Sequence, residues 1–238
     1  MKRTPSRTLT SMMILFAMLV SMLPVPALAA EPPDQAYDAT VYVNGSSGSN
    51  DNDGKTEDTP VKSMTSAYDA LYTLLAEKNL AEDPDATGRI LVTGDVSFAT
   101  TNGPSPKKFK NHAFTITVTG KTPDLGLNIT KNYNNLGPTV YENITLTKNE
   151  KSENLTYFCA NGYPLVIGEN VTTVAKSNGY HFNLVGGQQE ADYAGDSDLT
   201  VRSGTWRNLY VGNYKKNMTG TAKLLMSGGK VDNSLCSS

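Results

Sequence analysis

The sequence predicts an all-β protein in which short strands stack as the coils of a parallel β-helix, with one amphipathic helix near the N-terminus. In residues 41–76, a short alternating strand is followed by a loop rich in Gly, Ser, Asn and Asp and then by that helix. From residue 89 onward, short runs of Val, Ile, Leu, Thr and Phe alternate with Gly, Asn and Asp, and no second helical stripe separates them. A βαβ sheet needs such helices, so an all-β architecture follows.

The helix is predicted to run from Ser63 to Lys78, with the Ser63 side chain as its N-cap. Its apolar residues recur at steps of three and four positions, which places them along one helical stripe. They are Met64, Ala67, Leu71, Leu74 and Leu75. Such a stripe must cover an apolar surface elsewhere in the fold.

Internal repeats decide between two all-β architectures, because short strands at this spacing fit a β-sandwich as well as a β-helix. Residues 199–206 align with residues 223–231 at an offset of 24, and each run leads through a turn into another short strand. Residues 142–147 and 168–173 share an Asn-Ile/Val-Thr core at an offset of 27. Offsets between about 20 and 50 residues indicate stacked repeats, which favours the β-helix.

The strand positions predicted to face the interior carry apolar side chains that would stack from coil to coil. They are Ile144, Leu146, Val166, Val171, Leu199, Val201, Leu209, Val211 and Leu224. In a β-helix these ladders form the core.

Nine residues near the start of the first strand carry a resemblance to a known family. They are Tyr42, Val43, Gly48, Asp51, Asp53, Gly54, Pro60, Ser63 and Ala67. This arrangement, which covers about thirty residues, resembles the N-terminal module of bacterial exported surface proteins with the right-handed parallel β-helix of the pectin-lyase-like superfold. The resemblance implies that the helix caps the open N-terminal end of the β-helix. It implies no substrate, because one superfold hosts many unrelated functions.

Residues 1–29 have the layout of a cleavable secretory signal peptide. Lys2, Arg3 and Arg7 precede an apolar run over residues 12–23, and Ala27-Leu28-Ala29 follows it. The run is shorter than the roughly 20 residues of a membrane-spanning helix, although a retained N-terminal anchor is the alternative. We therefore expect a secreted or cell-surface protein that begins near Ala30, without membrane insertion after signal cleavage.

The mature chain divides into a linker at residues 30–40 and a β-helix domain at residues 41–238. The chain ends directly after a predicted rung, so we expect the domain to be incomplete at its C-terminus and to self-associate through the uncovered coil. Signal removal takes three of the 21 basic residues and none of the 23 acidic ones, so the formal net charge changes from −2 to −5. An acidic chain without a basic block lacks the electrostatic footprint of a nucleic-acid-binding protein.

The two cysteines, Cys159 and Cys236, lie in neither a C-x-x-C pattern nor a Cys/His spacing typical of zinc or redox sites. A small buried side chain is the simpler interpretation of Cys159. An exported pair of cysteines also permits a disulfide, and the sequence leaves this question open.

Calcium is the one cofactor that the composition suggests, through the loop at residues 49–54. Asp51 and Asp53 stand two positions apart with Gly54 after them, as in calcium loops. An EF-hand is excluded, because Ser49 and Pro60 stand where that motif needs acidic residues. The alternative is a turn in which Asp and Asn bond to their own backbone.

Trp206, Tyr210 and Tyr214 are the candidate ligand-binding residues, because aromatic rings on a rigid polar surface stack on sugars. The expected partner is a polysaccharide or a host glycan. Core packing is the alternative for Trp206. The sequence thus favours an exported module, without catalysis, that binds carbohydrate or acts as a structural or adhesive scaffold.

The alternative function is a polysaccharide lyase or glycoside hydrolase of the same superfold. A lyase needs carboxylates that hold calcium and an Arg or Lys base. The nearest collection of such residues is Glu190, Asp192, Asp196, Asp198, Arg202 and Arg207. A solvated, acid-rich loop explains the four acids equally well.

Overall fold

The computed structural model describes residues 36–98, 112–150, 153 and 155–237. In chain order the elements are β1 (Ala39–Asn44), α1 (Met64–Glu77), β2 (Thr87–Gly94), β3 (Val96–Phe98), β4 (Thr115–Gly120), β5 (Gly126–Ile129), β6 (Tyr133–Asn134), β7 (Thr139–Glu142), β8 (Ile144–Lys148), β9 (Tyr157–Cys159), β10 (Leu165–Ile167), β11 (Val171–Val174), β12 (Asn183–Val185), β13 (Ser197–Val201), β14 (Thr205–Tyr210), β15 (Ala222–Met226) and β16 (Lys230–Cys236). The predicted signal peptide and most of the predicted linker lie outside the described residues.

The strands form three sheets, and neighbouring strands in each sheet run parallel. Sheet A has the order β1-β2-β4-β7-β10-β13-β15, sheet B the order β11-β8-β5-β3, and sheet C the order β16-β14-β12-β9-β6. From β7 to β12 the chain visits sheets A, B and C in turn, and we call one such passage a coil. The described residues therefore confirm a mostly β protein with parallel sheets and a single helix.

The offset of 27 residues is confirmed by the strand register. Ile144 of β8 pairs with Val171 of β11, and the next three residues of each strand continue this pairing. Asn143 and Asn170, which precede these strands, both have a positive φ, at 47° and 54°. The shared Asn thus marks one turn that recurs in successive coils.

The offset of 24 residues is wrong by one position, because Leu199 of β13 pairs with Leu224 of β15. The turns that follow these strands explain the error. Gly204 and Gly229 have φ values of 83° and 78°, so they occupy the same left-handed position in successive coils, at an offset of 25. The sequence alignment had matched Gly204 to Gly228, the neighbouring glycine.

The predicted helix is confirmed, and it packs against β1, β2 and β3. The Ser63 hydroxyl accepts a hydrogen bond from the backbone N–H of Ser66 at 3.2 Å, as an N-cap does. The predicted stripe is buried except for Leu74, which is half-buried, and Tyr68 joins it. A Cβ on Gly88 of β2 would lie only 2.8 Å from Leu71, so the helix rests directly on this strand.

Most of the predicted interior positions are buried. Val166 is an error, because it is half-buried, whereas its neighbours Leu165 and Ile167 are fully buried. Side chains alternate between the two faces of a strand, so a shift of one position reverses the assignment. Leu224 is half-buried and packs against the edge of the core. β1 also begins at Ala39, within the predicted linker, because Ala39 is buried like Val41.

His112 gives the fold a testable pH dependence. It is only 4 % exposed, and its Nδ1 lies 2.6 Å from the carbonyl oxygen of Phe114, which fits a neutral ring whose Nδ1–H donates. Burial lowers the pKa of His112 to about 4, against 6.5 in an unfolded chain. His112 therefore contributes no pH dependence above about pH 6.5, and its neutral burial becomes costly as the pH falls towards 4.

We expect this one residue to lower the free energy of unfolding by about 3 kcal/mol between pH 7 and pH 4. Urea denaturation at several pH values measures the loss. A His112→Asn variant should lose about that much less stability over the same interval, because it has no imidazole to protonate. His181, whose pKa is also lowered by burial, is unchanged in both proteins. Equal acid sensitivity of the two proteins would contradict the assignment.

Candidate tyrosine site on the outer face of sheet C

Trp206 does not belong to a surface site, which corrects the expectation from the sequence. Its side chain is fully buried within the hydrophobic core, 6.1 Å from the ring of Phe158 between centroids. Its indole N–H donates to the carbonyl oxygen of Ser203 at 3.3 Å, so the one polar atom of the ring is satisfied internally. The alternative interpretation of Trp206, core packing, is therefore correct.

Tyr210 and Tyr214 lie together, and the structure adds Tyr157 as a third member that the sequence did not indicate. The ring centroid of Tyr214 is 4.7 Å from that of Tyr157 and 4.7 Å from that of Tyr210. Tyr157 is 5 % exposed, whereas Tyr210 and Tyr214 are half-buried. We call these three residues the tyrosine cluster.

The strand register explains why the tyrosine cluster faces outward. Phe158, Leu184 and Leu209 occupy paired positions in β9, β12 and β14, and all three belong to the main core. Residues on either side of them must point the opposite way. Tyr157 and Tyr210 are such residues, so they stand on the outer face of sheet C.

The floor of the tyrosine cluster consists of Cys159 and Val185, both fully buried. Cys159, Val185, Tyr210 and Cys236 are paired in that order across four neighbouring strands. At about 4.8 Å per strand, the two cysteines are about 14 Å apart. A disulfide needs Cα atoms within about 7 Å, so Cys159 and Cys236 do not pair with each other. Burial raises the pKa of the Cys159 thiol, which makes it an inert apolar group.

A row of asparagine side chains runs beside the tyrosine cluster on the same face. Asn208 donates to the Oδ1 of Asn183 at 2.6 Å, and Asn233 donates to the Oδ1 of Asn208 at 2.7 Å. Asn183 pairs in register with Tyr157, so the amides adjoin the phenol rings. The Nδ2 of Asn183 is buried and has no hydrogen-bond partner among the described residues.

The charge state of the tyrosine cluster suits hydrogen bonding rather than acid–base chemistry. Burial raises the pKa of Tyr157 and of Tyr210, so both phenols stay neutral at physiological pH. The Lys215 ammonium lies 5.2 Å from the ring centroid of Tyr214, within the range of a cation–π contact. The cluster therefore offers aromatic faces, neutral hydroxyl groups and one nearby cation.

The loop that suggested calcium is accounted for by its own turn. Asp53 accepts the backbone N–H of Lys55 at 3.0 Å and the Thr59 hydroxyl at 3.1 Å, and the backbone bond lowers the pKa of the Asp53 carboxyl. Asp51 is exposed. Within the described ranges, no three His, Cys, Asp or Glu side chains are grouped so that they could hold a metal ion.

The acids that suggested a lyase serve in part as links between successive loops. The Asp192 carboxylate accepts the backbone N–H of Asn217 at 3.0 Å, and the Asp196 carboxylate accepts that of Thr221 at 2.7 Å. Both contacts join residues 25 positions apart. These carboxylates hold the loop after β12 to the loop after β14.

A polar cleft of about 410 Å³ lies between the loop at residues 50–55 and the outward face of α1. Its lining includes Asp53, Asp69 and Glu77, and the Lys55 ammonium lies 3.9 Å from the Glu77 carboxylate. No aromatic side chain lines it. The tyrosine cluster is therefore the better candidate for a sugar-binding site.

Comparisons with protein-family models, with curated proteins and with solved structures find no match to this chain. In the part of the chain that the structure describes, no helix has the length and apolar character to cross a membrane. The features established for the protein are thus its parallel β architecture and the geometry of the tyrosine cluster.

Proposed function

We propose that this protein is an exported, right-handed parallel β-helix module that binds carbohydrate through the tyrosine cluster. The observation that carries the proposal is the packing of Tyr157, Tyr210 and Tyr214 on the outer face of sheet C, with ring centroids 4.7 Å apart. Export is proposed from the signal-like residues 1–29, and a polysaccharide or host glycan is the proposed partner.

The sheet topology supports the β-helix part of the proposal. The chain passes through sheets A, B and C in turn, and equivalent residues of successive coils pair in parallel at offsets of 27 in sheet B and 25 in sheet C. Coils that stack in this way bury one continuous core. The resemblance of residues 41–67 to pectin-lyase-like proteins is consistent with that arrangement.

The chemistry of the tyrosine cluster supports carbohydrate as the ligand. Sugar rings present apolar C–H faces together with hydroxyl groups, and a tyrosine offers an apolar ring with a polar tip. Tyr157 and Tyr210 belong to strands, so their positions are fixed before a ligand binds, which lowers the entropic cost of binding. Asn208 and the other amides in the row beside them add hydrogen-bonding groups.

A glycan array and then calorimetry with the purified protein test the proposal. We expect Tyr214→Ala to lower the association constant about tenfold, since an aromatic contact contributes on the order of 1 kcal/mol beyond its buried area. Tyr72→Ala is the control, because Tyr72 is a half-buried tyrosine of α1, remote in sequence from the cluster. The melting temperature of each variant shows whether the fold is retained.

Unchanged affinity in Tyr214→Ala and in Tyr210→Ala would rule out the tyrosine cluster as the binding site. Formation of unsaturated or reducing sugar ends during incubation with polysaccharides would instead support the alternative function, a lyase or hydrolase.

A further inference from the structure

Three basic side chains from three successive coils converge on one short segment between sheets B and C. Lys148 ends β8, Lys176 follows β11, and Arg207 lies in β14. The Lys148 ammonium donates to the carbonyl oxygen of His181 at 3.3 Å, and the backbone N–H of Lys176 donates to the carbonyl oxygen of Tyr180 at 3.4 Å. We call Lys148, Lys176 and Arg207 the basic corner.

Arg207 is held in place at this corner. Its guanidinium lies 4.0 Å from the ring centroid of Tyr180, and its backbone N–H donates to the carbonyl oxygen of Phe182 at 2.7 Å. A guanidinium stacked on a ring keeps its N–H groups in the plane, where they can donate to an oxyanion. Arg207 is half-buried, so this plane is partly open to solvent.

The positive charges of the basic corner act on one another. Lys148 is 1 % exposed, and burial together with the charges of Lys176 and Arg207 lowers the pKa of Lys148 to about 8. Neighbouring acids have other partners. Glu150 accepts the backbone N–H and the hydroxyl of Ser177, at 2.6 and 2.9 Å. Like charges held together in this way disfavour one another unless an anion joins them.

A second acid near the corner is also engaged. Asp232 forms an ion pair with Lys230 at 2.7 Å. His181, which lies between this pair and Lys148, has a buried Nδ1 without a partner among the described residues. The corner is therefore rich in donors and positive charge, and its acids are used elsewhere.

We propose that the basic corner binds a tetrahedral oxyanion, the sulfate group of a sulfated carbohydrate. Cations that approach from three coils need oxygen acceptors on several sides, which a tetrahedral group supplies and a planar carboxylate does not. This inference rests on the proposed carbohydrate function. Arg207 and Tyr210 both lie in β14, three positions apart, so one sulfated chain could contact the basic corner and the tyrosine cluster together.

The test is calorimetric titration of the full chain with chondroitin sulfate and with its desulfated form, which keeps the same uronates. We expect the sulfated chain to bind about tenfold more tightly or better, since charge-assisted hydrogen bonds are the strong ones. Arg207→Gln and Lys176→Gln should each remove most of that difference. Arg89→Gln is the matched control, because Arg89 also lies over a tyrosine ring, 5.0 Å from the centroid of Tyr37, but is not one of the converging cations.

Each outcome of this titration decides one proposal. Equal binding of the two forms, or a preference that survives Arg207→Gln, overturns the sulfate site and leaves the tyrosine cluster untouched. Sulfate-dependent binding that is unaffected by Tyr214→Ala supports the basic corner and overturns the proposed tyrosine site. Inorganic sulfate and inorganic phosphate serve as competitors, and displacement by phosphate alone contradicts the choice of sulfate.

Discussion

Replacing Leu71 with Asp is expected to lower the free energy of unfolding by about 4 kcal/mol. Leu71 is fully buried on the inner face of α1, against Gly88 of β2. The aspartate would leave a cavity and place a carboxylate with no basic partner in the core, and breaking or omitting the partner of a buried charge is among the costliest single changes. Urea denaturation followed by far-ultraviolet circular dichroism measures the loss.

Leu74 provides a matched control on the same helix. It is half-buried and faces the polar cleft, so the same Leu→Asp change leaves the carboxylate in contact with water. We expect it to cost well under half as much as Leu71→Asp. Similar losses in the two variants would show that the Leu71 face of α1 does not pack on the strands.

Trp206→Ala is expected to destabilise the protein by about 3–5 kcal/mol, because it removes the largest fully buried side chain. Tyr210→Ala should cost less, since Tyr210 stands half-buried on the outer face of sheet C. Thermal and urea unfolding of the two variants measure the difference. A Trp206→Ala protein with unchanged stability and lost carbohydrate binding would return Trp206 to the surface and contradict the structure.

The features that sequence reasoning found are those that local chemistry determines. The stripe that includes Leu71 and the N-cap at Ser63 both follow from contacts within a few residues of the chain. The offset of 27 residues was correct, because Asn143 and Asn170 mark the same positive-φ turn with a residue that tolerates it. The Gly228-Gly229 pair gave two equivalent choices, so the other offset was ambiguous by one position.

The features that sequence reasoning missed depend on register across coils. Tyr157 and Tyr214 are far apart in the chain, and only the parallel stacking of β9, β12 and β14 brings them together. Short strands carry too few residues to show which face is buried. At Trp206 the pairing with β16 also shifts register before Asn208, so simple alternation along β14 misplaces the ring.

The links between the loops that follow β12 and β14 govern how the chain tolerates changes in length. Gly187 donates to the carbonyl oxygen of Gly212, and Asp192 and Asp196 accept from residues one coil further along. Every partner is 25 positions away, so each coil acts as a ruler for the next. A residue inserted into the first loop alone would put all later partners out of step, whereas one inserted into both at equivalent places would keep them matched. The natural unit of variation in this region is thus a vertical column of equivalent positions, and lineages that lengthen one loop must lengthen its neighbour with it.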